Sequence, residues 1–129
     1  MIQNVKAVSV PVGDHDEAVR FYCDVLGLAK VVDAPMGDGH RYVEVALPGG
    51  DAVLAPFTWY KREEVRAELG GYSRVVLGCD DVQRTYDELV AKGAQFEGEP
   101  FGEHGRVFAA LKDPWGNVFV LAPADPVAE

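Results

Sequence analysis

Two segments of this chain follow the same order of features: an apolar strand, an aspartate, an amphipathic helix and a closing glycine. The first segment contains Asp14 and Gly27, and the second contains Asp81 and Gly93, so the two copies are offset by about 67 residues, counted from Asp14 to Asp81. Short apolar runs separated by glycine-containing turns follow each copy. An internal repeat restricts the possible folds strongly, because each copy must form the same supersecondary unit. The repeat therefore predicts two βαβββ units in tandem, an α+β fold.

Local signals in each copy predict where the strand ends and the helix begins. Val8, Val10 and Val12 show the two-residue period of a half-buried strand. Asp14 is placed to cap the first helical N–H groups, with Glu17 as the reciprocal member of a capping box. The apolar residues that follow lie on one helical face in both copies: Ala18, Phe21, Tyr22 and Val25, then Val82, Tyr86 and Leu89.

The remaining elements follow from turn residues and apolar runs. In the first module we expect strands at 29–34, 41–47 and 52–55, and in the second module a strand at 72–79, a helix at 82–92, strands at 94–98, 106–112 and 118–122, and a loop at 100–105. Residues 61–69 favour a short surface helix or an ordered loop between the modules. The 129 residues are thus expected to form one domain: module one at about 3–57, a linker at 58–71, module two at about 72–123 and a tail at 124–129.

Charge and cysteine content exclude several classes of protein. A net charge of −9 disfavours non-specific nucleic-acid binding, which requires a basic surface, and is compatible with a cationic ligand. Cys23 and Cys79 form no CxxC pair and predict half-buried, reduced thiols. Residues 1–6 lack the features of a signal peptide, and no apolar run has the length to span a bilayer. We therefore expect a cytoplasmic protein with no membrane or nucleic-acid partner.

Alternation along the strands predicts two sheet faces in each module, one covered by the helix and one lining a cleft. The helix-facing set is Val8, Val10, Val12, Val43, Val45, Val75, Leu77, Val107, Leu111, Phe119 and Leu121. The cleft-facing set is Ala7, Ser9, Tyr42, Glu44, Arg74, Val76, Arg106, Phe108, Ala110, Val118 and Val120. A bulge or register slip would exchange the two faces.

The chain resembles the vicinal oxygen chelate superfamily, which includes glyoxalase I, extradiol dioxygenases, fosfomycin-resistance enzymes and bleomycin-resistance proteins. The resemblance covers about residues 3–123. Its motifs are Val12-Gly13-Asp14, Ala18-Val19-Arg20-Phe21-Tyr22, Leu26-Gly27-Leu28, Asp80-Asp81-Val82, Leu89 to Gly93, and Asp113-Pro114-Trp115-Gly116-Asn117. It implies two βαβββ modules that form a U-shaped half-barrel cleft with the helices on the convex face, and a homodimer.

Enzymes of this superfamily hold a divalent metal with side chains from the first and last strands of each module. The resemblance places those positions at Ala7, at Ala55 or Pro56, at Arg74 and at Val120. None of these side chains ligates a metal, and Arg74 would bring a fixed positive charge to the site. We therefore expect no metal and no cofactor at the family positions.

Other polar residues suggest a different site. His40, Tyr42 and Glu44 share one strand face and, with Arg74, are candidate catalytic residues for acid–base chemistry or for a displaced metal. The simpler alternative is that Glu44 pairs with Arg74 across the cleft. His15 is predicted to be a solvated residue of the first helical turn, and His104 is a candidate for the cleft mouth.

Aromatic residues are concentrated in loops and strand ends: Phe57, Trp59, Tyr60, Phe101, Phe108 and Trp115. Flat rings beside a few polar groups are typical of a site for a planar ligand, although core or dimer packing is an equal alternative for Phe57 and Trp115. Residues 105–114 resemble the bleomycin-resistance branch, whose members bind a drug without a metal of their own. The candidate ligand-binding residues are Ser9, Tyr42, Glu44, Phe57, Trp59, Arg74, Arg106, Phe108 and Trp115.

These features favour a metal-independent protein that sequesters an aromatic, potentially cationic, metabolite or antibiotic, as antibiotic-resistance proteins of this branch do. The alternative is an enzyme of the same superfamily with lyase, isomerase or other non-oxidative chemistry. A third hypothesis is a regulatory module whose cleft is filled by its own side chains. Tight binding without turnover would favour the first hypothesis, and a bound metal at Glu44 the second.

Overall fold

The computed structural model describes residues 1–37, 40–50, 52–58, 69–103 and 105–125. They belong to two compact units, Met1–Leu69 and Gly70–Glu129. Each described unit combines a helix with a mixed sheet of parallel and antiparallel strands. The predicted α+β class and the repeated βαβββ pattern are confirmed.

Within its described residues, the first unit contains four strands and one helix. In chain order these are β1 (Ala7–Pro11), α1 (His15–Val19) with a π-helical continuation (Arg20–Val25), β2 (Ala29–Gly37), β3 (His40–Ala46) and β4 (Val53–Phe57). The sheet order is β1-β4-β3-β2, with β1 parallel to β4 and the other pairs antiparallel. The helix packs on β3 and β4.

The second unit repeats this order and adds a short strand. Its elements are β5 (Gly71–Cys79), α2 (Val82–Ala91), β6 (Gln95–Phe96), β7 (Phe101–Glu103), β8 (Arg106–Lys112) and β9 (Asn117–Pro123). The sheet order is β5-β9-β8-β6, and β7 pairs with β8 outside that path. The helix packs on β8 and β9.

The prediction of a loop at 100–105 is wrong for β7. Phe101 pairs with Phe108 of β8, and the two rings stack with centroids 5.9 Å apart. Cross-strand aromatic pairs of this kind stabilise a ladder that is too short to show a strand period in the sequence. The turn-forming residues of this segment therefore predicted a loop, and no sequence pattern indicated the strand.

Both helices begin as the repeated aspartates predict. Asp14 Oδ2 accepts a hydrogen bond of 2.8 Å from the backbone N–H of Glu17, and Asp81 Oδ1 accepts one of 2.9 Å from that of Arg84. Gly27 and Gly93, which follow the two helices, have φ angles of +79° and +92°. Glycine is favoured there because other residues pay a steric cost at positive φ.

The first helix departs from the regular α-helix that its apolar spacing predicts. The N–H of Leu26 donates to the carbonyl of Phe21, five residues back, at 3.0 Å. This wider turn lets the neighbouring residues Phe21 and Tyr22 both lie in the core, 8% and 0% exposed, with their rings edge to face. Periodicity alone does not reveal such a π-helical turn, because the same apolar residues fit both forms.

His15 is buried, so the prediction that it is solvated is wrong. Its side chain is 8% exposed, its Nε2–H donates to the carbonyl of Pro56 at 3.2 Å, and its Nδ1 lies 3.5 Å from Thr58 Oγ1. The imidazole therefore connects the start of α1 to the end of β4. Desolvation lowers the pKa of His15 below its ordinary value of 6.5.

The turn between β8 and β9 is held by the buried carboxylate of Asp113. Its Oδ1 accepts hydrogen bonds from the backbone N–H groups of Trp115 and Asn117, at 3.0 and 2.8 Å, and its Oδ2 accepts one of 2.7 Å from Asn117 Nδ2. Asn117 Oδ1 in turn accepts a bond from the N–H of Gly70, just before β5. We call these hydrogen bonds of Asp113 and Asn117 the clamp, because they hold the turn and the residue before β5 together within the second unit.

Two sequence expectations, the helix at 61–69 and the C-terminal tail, concern segments that the structure describes only in part. The predicted helix at 61–69 lies outside the described residues except for Leu69, and the tail is described only to Asp125. Cys23 and Cys79 are half-buried free thiols. Within the described ranges, no helix has both the length and the apolar character needed to cross a bilayer.

We predict that Asp113→Ala lowers the free energy of unfolding by about 2–3 kcal/mol, because it leaves buried donors of Asn117 and the turn without their acceptor. Urea unfolding followed by circular dichroism measures the change. Asp24→Ala, at an exposed carboxylate, serves as the control and should shift stability by less than about 0.5 kcal/mol. An equal effect of the two variants would contradict the role of the clamp.

We also predict a pH-dependent stability that depends on His15. The unfolded chain binds a proton at His15 near pH 6.5, whereas the folded protein resists protonation because burial lowers the pKa. The contribution is therefore complete above about pH 6.5 and is lost as the pH falls from there toward the lower folded pKa. Urea midpoints across this range should fall less steeply for His15→Gln, which keeps a donor for Pro56 without titrating. An unchanged slope in that variant would disprove the assignment.

Candidate functional site

The two faces of the first sheet are defined by β3. Val43 and Val45 are fully buried, and Arg41, on the same side of the strand, donates from Nη1 to Asp16 Oδ1 of α1 at 2.7 Å. The odd-numbered residues of β3 therefore face the helix. Because side chains alternate along a strand, the even-numbered ones, including Tyr42 and Glu44, lie on the opposite face.

Glu44 is the most enclosed polar residue of that opposite face. The residue is 7% exposed, and its neighbour across the antiparallel pair with β2 is Val32. The hydroxyl of Tyr42 donates a short hydrogen bond to Glu44 Oε2, and the ammonium of Lys6 lies 3.5 Å from the same oxygen. The carboxylate thus has one neutral donor and one cationic partner within the first unit.

Tyr42 is affected in turn by the carboxylate. The hydrogen bond to Glu44, followed by desolvation and the repulsion between the two negative charges, raises the pKa of the Tyr42 phenol above its ordinary value of 10.0. Tyr42 is therefore a neutral hydrogen-bond donor at physiological pH. A neutral phenol beside a carboxylate can orient a polar group of a ligand or polarise a carbonyl.

Ser9 and Phe57, two further predicted ligand-binding residues, share this face of the first sheet. Ser9 pairs with Ala55 and Pro11 pairs with Phe57 in the parallel ladder of β1 and β4. Alternation places Ser9 and Phe57 on the same side as Tyr42 and Glu44, since Ala46 of β3 is opposite Val53 of β4. We call Ser9, Tyr42, Glu44 and Phe57 the polar face. His40 has the same parity but lies at the start of β3, paired with Gly37.

The second unit carries an apolar counterpart. Val76 of β5 pairs with Val120 of β9, which is opposite Ala110 of β8. These positions match Ser9, Ala55 and Glu44 of the first unit. Phe108 occupies the position equivalent to Tyr42, so the second unit has an aromatic ring but no carboxylate on this face.

Arg74 and Arg106 are placed by features that alternation does not predict. Arg74 has a φ of +64° in an irregular part of β5, where the register shifts between Tyr72 and Val76, and it is exposed. Strict alternation therefore fails between these two residues. Arg106 donates from Nη2 to the carbonyl of Asp125 at 3.2 Å and borders a surface pocket of about 260 Å³ beside the start of α2.

The other predicted aromatic residues differ in how they are placed. Trp115 is half-buried in the clamped turn between β8 and β9. Trp59, Tyr60 and His104 lie outside the described residues. Lys6, which contacts Glu44, was missed because it precedes the first strand and no pattern in the sequence connects it to β3.

The side chains at the family's metal positions do not fit a divalent ion. Ala7, Ala55, Pro56 and Val120 carry no donor atom, and Arg74 is cationic. In the part of the chain that the structure describes, no group of three or more His, Cys, Asp or Glu side chains is arranged to hold a metal. The polar face instead offers a carboxylate, a phenol, a hydroxyl and an aromatic ring.

Paired βαβββ units with one helix on each sheet define the class of glyoxalase-like proteins. The model of the Glyoxalase/Bleomycin resistance protein/Dioxygenase superfamily matches residues 4–121, and the chain belongs to that superfamily. The resemblance seen in the sequence motifs is thereby confirmed at the level of the family.

Individual relatives carry different descriptions. A superfamily member from Sphaerobacter thermophilus is 30% identical with a TM-score of 0.86, covering 95% of this chain and 98% of its own. TnmS3, an antibiotic binding protein from a Streptomyces species, is 30% identical with a TM-score of 0.79, covering 96% and 98%. A probable lactoylglutathione lyase of Synechocystis is 32% identical over 113 residues, 83% of this chain and 85% of its own.

We predict that one of the five tyrosines, Tyr42, titrates above the ordinary value of 10.0 because of Glu44. The difference in tyrosinate absorbance between the wild type and Tyr42→Phe isolates its titration curve. In the Glu44→Gln background, the pKa of Tyr42 obtained from the same absorbance difference should move back toward the ordinary value, because a neutral amide no longer repels the phenolate. A curve that does not respond to Glu44→Gln would contradict the coupling.

Proposed function

We propose that this chain is a small-molecule-binding protein that holds an aromatic ligand without converting it and without a metal. The observation that carries the proposal is the polar face of the first unit. A nearly enclosed carboxylate with a phenol donor lies beside Ser9 and Phe57 on the sheet face that the helix leaves uncovered. Ligand sites commonly combine a mainly apolar surface with a few such polar groups.

The aromatic rings of the same face support an aromatic ligand. Phe57 of β4 and Tyr42 of β3 lie on the side of the first sheet that carries Glu44. A planar ligand can pack on such rings by offset or edge-to-face stacking. Recognition by stacking requires no chemical step.

The donor set supports independence from metal. Lewis-acid chemistry of the superfamily needs nitrogen or oxygen ligands with an open coordination position. The corresponding positions here carry Ala7, Ala55 or Pro56, Arg74 and Val120, which cannot supply them. The similarity to TnmS3, whose description is an antibiotic binding protein, is consistent with a binding role.

A second candidate function is non-oxidative enzyme chemistry at the same residues. The hydrogen bond between Tyr42 and Glu44 favours it, because a carboxylate can accept a proton from a ligand while the phenol orients an adjacent oxygen. The relative described as a probable lactoylglutathione lyase belongs to the same superfamily. In this alternative the ligand would leave the site chemically changed.

We predict saturable binding of 2-naphthalenemethanol, a neutral planar probe, at one molecule per chain. Protein purified without a tag or chelator is challenged with zinc, nickel, manganese and ferrous iron, and its metal content is measured by mass spectrometry. The proposal expects no stoichiometric metal and an affinity for the probe, read from tryptophan fluorescence, that a chelator does not change.

Two results would overturn this function. Stoichiometric metal that is needed for binding would show that the site is a relocated metal centre. Absence of saturable probe binding, together with turnover of 2-oxoaldehyde hemithioacetals that is lost in Glu44→Gln, would favour the enzyme. Glu99→Gln, at an exposed carboxylate of the second unit, provides the matched control for that variant.

A further inference from the structure

Lys6 reaches Glu44 from outside the sheet. It is the last residue before β1, its side chain is 78% exposed, and its ammonium lies 3.5 Å from Glu44 Oε2. Because the strand order is β1-β4-β3, this side chain must extend past β4 to reach a residue of β3. Glu44, by contrast, has a side chain that is only 10% exposed.

The contact between Lys6 and Glu44 is easy to break. An exposed ion pair contributes little to stability, because solvent screens it and a flexible side chain loses entropy when it is held. Residues 1–6 are exposed and precede the first regular element. The entropy that the Lys6 side chain regains offsets part of the cost when its ammonium leaves, and the nearly enclosed carboxylate then favours another cation beside the hydrogen bond from Tyr42.

The charges around the first sheet favour a cation beside Glu44. In the described part of the first unit, the other cations of the sheet, Lys30 and Arg41, are bound to Asp33 on the helix-facing side. Among these side chains, only Lys6 supplies positive charge to the polar face. Tyr42 and Phe57 add aromatic rings to the same face, and a cation is attracted to the face of such a ring.

We propose that Glu44 and Tyr42 form a subsite for an ammonium group and that Lys6 is a built-in competitor for it. The ligand class is then a planar aromatic amine, whose ammonium takes the place of the Lys6 ammonium on Glu44 Oε2 while its ring lies along the apolar part of the face. This inference rests on the proposed function and specifies the ligand for that same site. The net charge of −9 adds a general attraction for cations.

The test uses three naphthalene probes that share a ring and differ in charge: 2-naphthylmethylamine, 2-naphthalenemethanol and 2-naphthoate. Dissociation constants are measured for the full chain at neutral pH and at two salt concentrations. The wild type should bind the amine about tenfold more tightly than the alcohol, since hydrogen bonds between charged groups are the stronger ones. The carboxylate should bind most weakly, and added salt should weaken only the amine.

Substitutions at Glu44 and Lys6 test the subsite and its competitor independently. Lys6→Met should tighten binding of the amine about three- to fivefold, because the competing ammonium is gone, and should leave the alcohol within about twofold. Glu44→Gln keeps an acceptor for Tyr42 but should remove the preference for the amine. Lys92→Met and Glu99→Gln, at exposed positions of the second unit, control for the change in net charge.

The outcomes distinguish this inference from the function on which it rests. Equal binding of the amine and the alcohol would overturn the ammonium subsite and leave the binding function in place. A weaker affinity for the amine in Lys6→Met would show that Lys6 contributes to the site and would overturn its role as competitor. Failure of all three probes to bind would overturn both proposals.

Discussion

The alternation of side chains along β3 is the constraint on which the rest of the site depends. Val43 and Val45 must face the helix to fill the core of the first unit, and Arg41 on the same side is fixed by carboxylates of α1 and β2. These contacts therefore place Tyr42 and Glu44 on the opposite face of the sheet. A polar pair is thereby held on a rigid strand by packing on its other side.

The helix-facing core positions of both units are apolar, whereas the opposite faces differ in polarity. Leu111 and Phe119 fill the second core as Val45 and Leu54 fill the first, all at 0–1% exposure. On the other face, the position of Glu44 corresponds to Ala110. A core position must be apolar because a buried polar group without partners is costly, whereas Glu44 on the other face keeps a hydrogen-bonding and an ionic partner.

Sequence patterns predicted the fold correctly where a short motif is compatible with only one local structure. The caps at Asp14 and Asp81 and the glycines after both helices are local, and each was found where it was expected. The shared face of Ser9, Tyr42 and Glu44 followed from regular alternation, which holds in β1 and β3, whereas Phe57 lies on this face because β4 extends two residues beyond its predicted end.

What the sequence did not predict depends on non-local contacts or on irregular backbone. The burial of His15 is determined by the carbonyl of Pro56, 41 residues away in the chain. The irregular register of β5 interrupts alternation at Arg74, and the pairing of β7 depends on a ring in β8. The contact of Lys6 with Glu44 is of the same kind, since nothing near either residue in the sequence indicates the other.

Glu44 lies near one of the positions at which the resemblance to the superfamily places metal ligands. Ala55, one of those positions, lies on the strand next to β3 and on the same face as Glu44, since Ala46 is opposite Val53. A carboxylate on β3 is therefore one strand away from the position of a metal ligand. There the carboxylate accepts a hydrogen bond from the neutral phenol of Tyr42 and lies 3.5 Å from the ammonium of Lys6. The alternation that fills the core with Val43 and Val45 thus also fixes which partners the acid meets.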